Sequence, residues 1–182
     1  MPDRKILVEL VDADGTAIGA AEKLAAHRPP GALHRAFSVF LFSPEGRMLL
    51  QRRADGKYHW PGVWSNSCCG HPFPAEPPFL AAVRRTVDEL GAAPELLAGA
   101  GTVTYDLADP RSGLVEKEHN HLFVGTLRAP LRPDPEEVGA SRWVTPGELA
   151  AQRASDPFSA WFGTVLEAAG PGIRSLLPGA GW

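Results

Sequence analysis

Hydrophobic and polar positions along the chain fall into two periods, and each marks a different kind of element. Lys5 to Val11 alternates weakly and reads as a strand, ended by the turn Asp12-Ala13-Asp14-Gly15. Glu22 to His27 is a short helix-prone piece closed by Pro29-Pro30-Gly31. Leu33 to Phe42 carries Phe, Val and Leu on both faces, the pattern of a central strand buried on two sides. After the turn Ser43-Pro44-Glu45-Gly46, Arg47 to Arg53 returns as a second strand, so a hairpin is expected. Ala54 to Pro78 shows no period, and a loop of that length in a compact domain usually carries function.

From Pro77 the period turns helical, with Phe79, Val83, Val87 and Leu90 on one face and Gly91 as the stop. Arg85 and Glu89 stand one turn apart on another face and are therefore neighbours. Thr102 to Leu107, Glu116 to Leu127 and Ser141 to Thr145 read as further strands. Thr145-Pro146-Gly147-Glu148 has capping-box spacing and opens a helix. Phe158 to Ala169 is a last apolar helix, with Gly170-Pro171-Gly172 as its expected stop. Strands first, a helix in the middle and helices last predict a mixed α+β fold.

Composition narrows the function classes. At 182 residues, 44% hydrophobic and 21% charged, the chain suits one domain over 1–182. A net charge of −3 offers no footprint for nucleic acid. No apolar run approaches the roughly 20 residues that span a bilayer, and Met1 to Lys5 does not open a signal peptide. The only two cysteines, Cys68 and Cys69, are adjacent, which points to a reduced, cytoplasmic setting.

The reactive side chains concentrate around Ser67-Cys68-Cys69-Gly70-His71. Cys69 is a candidate nucleophile or acid/base, since a thiol near a cation or metal titrates closer to neutrality. His27 and His34 bracket a proline turn that could fold them together, and Glu116 and Glu118 point to the same face of one strand. With His71 they form a possible imidazole–carboxylate site for Mg, Mn, Zn or Fe. His119 and His121 lie on the opposite face of that strand and read as packed or surface residues. Lys23, Arg53, Lys57 and Arg85 suit a phosphate-bearing ligand. Trp161, between Phe158 and Phe162, reads first as core, although its ring face could also shield a cation.

Residues 70–92 resemble the Nudix signature: Gly70, Glu76, Arg84, Glu89, Leu90, Gly91 and Ala92 fall in register, but Arg85 stands where the pattern has Glu, and Asp88 shortens another of its Glu residues. That exchange weakens a diphosphate-hydrolase reading and favours holding a diphosphate intact. A non-catalytic binding module is a further alternative, which the thiol and five possible ligands argue against. The chain also resembles one Nudix branch, the type I isopentenyl-diphosphate Δ-isomerases, over Glu22–His27, Leu33–Ser38, Arg52–Ala54, Trp60–His71, Asp109–Glu118 and Phe158–Trp161. The resemblance implies an α/β/α Nudix fold with a mixed sheet between helices. It implies Cys69 and Glu118 as the acid/base pair, Tyr105 and Trp161 as further active-site residues, and His27, His34, His71, Glu116 and Glu118 around one Mn, Zn or Mg. A second ion, Mg bound with the substrate, would fall on Glu89 and the Cys69 carbonyl. Lys23, Arg53, Lys57 and Arg85 would hold the diphosphate of a small isoprenoid substrate, in a monomer or a dimer. Arg111 reads as a one-residue insertion in the connecting turn, which bears on the match at Tyr105, and Cys68 has no assigned part.

Overall fold

The computed structural model describes residues 6–182, so Lys5, at the head of the first expected strand, and the expectation for Met1–Lys5 lie outside the described residues. The described residues form nine strands and four helices: β1 Leu7–Val11, β2 Ala17–Glu22, α1 Lys23–His27, β3 His34–Phe42, β4 Met48–Arg53, β5 Trp64–Ser65, β6 Cys68–Gly70, α2 Pro78–Leu90, β7 Leu96–Ala108, β8 Val115–Thr126, β9 Val138–Val144, α3 Pro146–Ser155 and α4 Phe162–Leu176. The strands make one mixed sheet with helices on both faces, the expected α/β/α arrangement.

β3 is the trunk. Along one edge its whole length pairs in parallel with β8, from His34↔Glu118 to Phe42↔Thr126. Its other edge is shared in succession by β1 at His34, by β6 at Phe37 to Val39 and by β4 at Phe42. The expected hairpin is thus joined at the single pair Phe42↔Met48, after which β4 leaves to pair with β5 and β9. Buried side chains bridge the gap: Ser67 Oγ accepts from Leu41 N at 2.8 Å and donates to Leu49 O at 2.7 Å. Asn66 Nδ2 donates to Val39 O at 3.1 Å and to Cys68 O at 2.7 Å. Backbone groups left without a ladder must find other partners, and this buried polar run supplies them.

Two cores lie on opposite faces. Phe40, Phe42, Leu122 and Val124 meet α4 through Phe162, Val165, Ala169 and Ile173. Phe37, Val39, Leu41 and Phe123 meet α2 through Ala81, Ala82 and Leu90. The face expected of α2 is corrected here. Phe79 and Val87 are exposed, whereas Ala81, Ala82, Thr86, Glu89 and Leu90 are buried. Small side chains let the helix approach the sheet, and Thr86 hides its hydroxyl by donating to Ala82 O at 2.8 Å. Gly91 then ends it at φ 64°, where a Cβ would meet the Arg132 carbonyl at 2.5 Å.

α4 also departs from expectation. It begins at Phe162 and runs through Gly170-Pro171-Gly172 to Leu176. Pro171 removes one N–H, but Ile173 beyond it is buried in the core, so packing outweighs the helix-breaking tendency. β2 was not foreseen, and Cys68–Gly70, read as loop, is a short strand. The capping box of α3 forms as its spacing predicted, with Thr145 and Glu148 each accepting from the other's backbone N–H.

Candidate active site

Regular elements place most of the site residues, while Lys57, His71 and Trp161 lie in the connections after β4, after β6 and before α4. α1 is little more than one turn, capped by Glu22, whose carboxylate accepts from Leu24 N and Ala25 N at 3.0 Å. Lys23 and His27, four apart, therefore share a face. β3 opens with His34, and the parallel ladder sets Glu118 directly beside it. On β8 the alternation puts Glu116, Glu118 and Asn120 on one face, continued by Leu122 and Val124 under α4. One strand face thus changes from acidic to apolar along its length.

The pleat also separates the two thiols. Cys69 pairs with Ser38 and packs toward the α4 core, while Cys68 pairs with Val39 and is buried in the α2 core. There Cys68 Sγ donates to Glu89 Oε2 at 3.5 Å, beside Gln51 Nε2 at 3.1 Å, while Arg85 pairs with Glu89 Oε1. The residue without an assigned part thus rests against a predicted ion ligand. Gly70 keeps this region open, since a Cβ would come within 3.1 Å of the Phe37 ring and 3.6 Å of Arg85 Cγ.

A cavity of ≈ 320 Å³ brings together Cys69, His71, Glu89, Tyr105, Glu116, Glu118 and Trp161 with Lys23, Arg53, Lys57 and Arg85. That volume lies at the lower end of small-ligand sites. His27 and His34 are fully buried, with ring centroids 4.6 Å apart. His71 joins them, its centroid 5.3 Å from that of His27 and 4.9 Å from that of His34. The ligating atoms of His27, His34, His71 and Glu118 all lie within 4.8 Å of one another, and so do those of His27, His59 and Glu116.

The tautomers of two imidazoles can be read from their partners. His27 Nδ1 stands 2.7 Å from Lys23 O, and His34 Nδ1 stands 2.8 Å from Ala32 O. A nitrogen facing a carbonyl carries the proton, so each Nε2 is a lone pair turned toward the carboxylates. Both Nε2 atoms are buried without a hydrogen-bond partner among the described residues. Lone pairs aimed at carboxylates are what a cation between them would satisfy, so these residues fit a divalent ion.

Electrostatics set the acid and the base apart. Burial pushes the Cys69 thiol up to about 12, so it keeps its proton at neutral pH. For Glu118, burial works to raise the carboxyl, but the hydrogen bond with His71 outweighs it and holds the group well below the usual range. Burial drives His71 down to about 3, leaving it neutral, with Nε2 2.9 Å from Glu118 Oε1. Tyr105 Oη donates to Glu118 Oε2, while Asn120 Nδ2 donates to Tyr105 Oη at 2.9 Å and to Glu118 Oε2 at 3.3 Å. Lys23 is lowered by burial and by the charges of Lys57 and Arg53, a repulsion that an anionic ligand would relieve.

His59, Glu137 and Asn120 belong to the site but were not singled out from the sequence. His59 is buried, with Nε2 3.1 Å from Glu116 Oε1. Glu137, at the head of β9, pairs with Lys57 and stands 3.2 Å from Arg85. The signal for His59 is an imidazole between the cation Lys57 and Trp60; Glu137 carries none. His119 and His121 stay outside the cluster, on the opposite strand face, where Arg35 Nη1 stands 2.9 Å from His121 Nε2.

The sheet, its helices and this signature-bearing helix define a class, and comparison with known proteins agrees. The NUDIX domain profile matches residues 32–162, and the chain belongs to that family. The structure of DR0079 from Deinococcus radiodurans superposes with a TM-score of 0.73 at 16% identity, covering 90% of this chain and 98% of that one, a likeness of fold. Among curated proteins, the isopentenyl-diphosphate Delta-isomerase of Streptomyces avermitilis is 67% identical over 97% of this chain and 90% of its own length. That of Streptomyces coelicolor is 65% identical with the same coverage. Within the Nudix family the chain therefore belongs to the isopentenyl-diphosphate Delta-isomerases.

Proposed function

We propose that the chain interconverts isopentenyl diphosphate and dimethylallyl diphosphate, with Cys69 and Glu118 as its acid/base pair. The observation that supports this most directly is that Cys69 and Glu118 line one cavity together with the four cations Lys23, Arg53, Lys57 and Arg85, and burial there favours the neutral thiol. Moving the double bond adds a proton at C4 and removes one from C2. A pair holding one proton between them serves either direction of that exchange.

The other residues divide the remaining work. Lys23, Arg53, Lys57 and Arg85 line the same cavity and would bind the diphosphate, fixing which end of the alkene meets the thiol. Tyr105 and Asn120 hold Glu118 Oε2 in place. Trp161, only 4% exposed, turns an aromatic surface to the cavity that would stabilise a tertiary carbocation and help keep water from it. His27, His34, His71, Glu116 and Glu118 would hold a divalent Mn, Zn or Mg ion, which supplies positive charge beside the carboxylate. Glu89 and the Cys69 carbonyl would hold a second ion, Mg, that arrives with the diphosphate. The reading includes a single domain over 1–182, a cytoplasmic setting and a monomer or dimer; no helix among the described residues is long and apolar enough to cross a membrane.

The test is NMR of isopentenyl diphosphate with enzyme and Mg in deuterated water. Dimethylallyl diphosphate carrying deuterium is expected; release of inorganic phosphate or pyrophosphate instead would refute the reading. Cys69→Ala and Glu118→Gln should each lower turnover at least about a hundredfold while the fold persists. A Cys69→Ala enzyme of near wild-type rate would remove the thiol from the mechanism.

A further inference from the structure

We propose that His59 is a positioning residue of the metal centre, donating its Nε2–H to Glu116 Oε1 so that Oε2 is presented beside His27 to the ion. The proposal rests on the reading of the His/Glu cluster given above. Its basis is a contrast between imidazoles. His27 and His34 each engage a backbone carbonyl through Nδ1, which makes each Nε2 a lone pair and a ligand. The Nδ1 of His59 is buried with no partner among the described residues, and its Nε2 faces a carboxylate oxygen at 3.1 Å. A proton on Nε2 would point at that oxygen and make His59 a donor to Glu116 in place of a ligand.

Glu116 needs such a donor. It is 2% exposed, and Oε1, otherwise without a hydrogen-bond partner among the described residues, faces His59 Nε2 at 3.1 Å. Its other oxygen faces His27 Nε2 at 3.2 Å, the nitrogen that would bind the ion beside it. A buried carboxylate oxygen without a donor is costly, and a ligand's outer partner fixes its orientation as well as its charge. His59 is the imidazole that stands against Oε1.

The backbone explains how His59 reaches inward. Trp60, the next residue, has φ 50°, an unusual conformation for a bulky side chain. Arg53 holds this corner from within, with Nη2 donating to His59 O at 3.1 Å and Nε donating to Trp60 O at 3.0 Å. One corner thus joins a diphosphate-binding guanidinium to a carboxylate of the metal centre.

The experiment is a titration of the whole chain with Mn²⁺ alone, followed by electron paramagnetic resonance, without substrate. His59→Ala is expected to weaken Mn²⁺ binding about 10–100-fold, as loss of an outer-shell partner does. His59→Gln, which can still offer an N–H, should recover to within a few fold of wild type. Equal affinity in wild type and His59→Ala overturns the proposal. So does a His59→Gln protein as weak as His59→Ala, because that result would make His59 a ligand. His27→Ala separates the two levels. If it too binds Mn²⁺ like wild type, the metal-centre reading fails; if it alone loses the ion, only the role of His59 fails. Circular dichroism of each variant shows that it is folded.

Discussion

Tyr105→Phe removes one oxygen from the active site and leaves the ring in place. That oxygen donates to Glu118 Oε2 and accepts from Asn120 Nδ2 at 2.9 Å. A hydrogen bond to an ionised group contributes about 1.5–3 kcal/mol. Asn120 Nδ2 remains 3.3 Å from the same carboxylate oxygen and replaces part of the loss, so the lower end applies. A cost of about 1.5 kcal/mol, placed on the orientation of Glu118, corresponds to a fall in kcat of roughly tenfold. The ring keeps its packing beside Leu122 and Trp161 in the α4 core, so the melting temperature should drop by only about 2–4 °C, near 1 kcal/mol for a chain of this size. Steady-state conversion of isopentenyl diphosphate across pH gives both kcat and its acid limb. A donor to the ionised carboxyl lowers its pKa, so removing it should move the acid limb toward neutral pH. A variant within twofold of wild type in kcat, with an unmoved acid limb, would refute the positioning of Glu118 by Tyr105.

Three further expectations follow from the same geometry. Cys68→Val keeps the volume but removes the thiol 3.5 Å from Glu89 Oε2, so the Mg concentration for half-maximal rate should rise about threefold, with kcat restored at saturation; an unchanged Mg requirement counts against it. Glu137→Gln removes the carboxylate that occupies Lys57 and Arg85, and isothermal titration should show inorganic pyrophosphate binding about fivefold more tightly, the scale of a partly exposed ion pair; weaker binding would show that Glu137 helps to hold the anion or its ion. With its thiol pushed up to about 12, Cys69 should be alkylated by iodoacetamide at a rate that keeps climbing above pH 9, where a free thiol would level off. The same shift favours the neutral thiol in the folded state, so its contribution to stability is complete below the unfolded thiol's pKa and is lost as pH rises toward 12.

What could be read from the chain depended on whether side-chain type or side-chain partner decided the outcome. β3 and β8 were legible because their burial is written in consecutive Phe, Val and Leu. The candidate ligands stood out because imidazoles and carboxylates announce themselves by type. α2 misled because its buried face is Ala, Thr and Glu, residues that sit inside through close approach and pairing, while Phe79 and Val87 face solvent. β2 gave little signal because Ala17 to Glu22 is a mostly exposed edge of Ala, Gly and Ile. The short strand at Cys68 was hidden because its ladder exists only once β3 and β4 have diverged. His59 and Glu137 depend on partners distant in sequence, Glu116 for one and Lys57 and Arg85 for the other, and neither has local spacing to mark it.

The parallel pairing of β3 with β8 has a consequence for how the protein is born. His34 leaves the ribosome long before the Glu118 that lies beside it, and antiparallel β7 must be made in between. During that interval the nascent chain already exposes His27, His34 and His71, but no carboxylate from β8 is present to complete the cage. An ion met in that interval would find three imidazoles and a thiol in place of the complete His/Glu cluster. The trunk strand that joins the two halves of the His/Glu cluster therefore also delays it, and the cluster is completed late in folding.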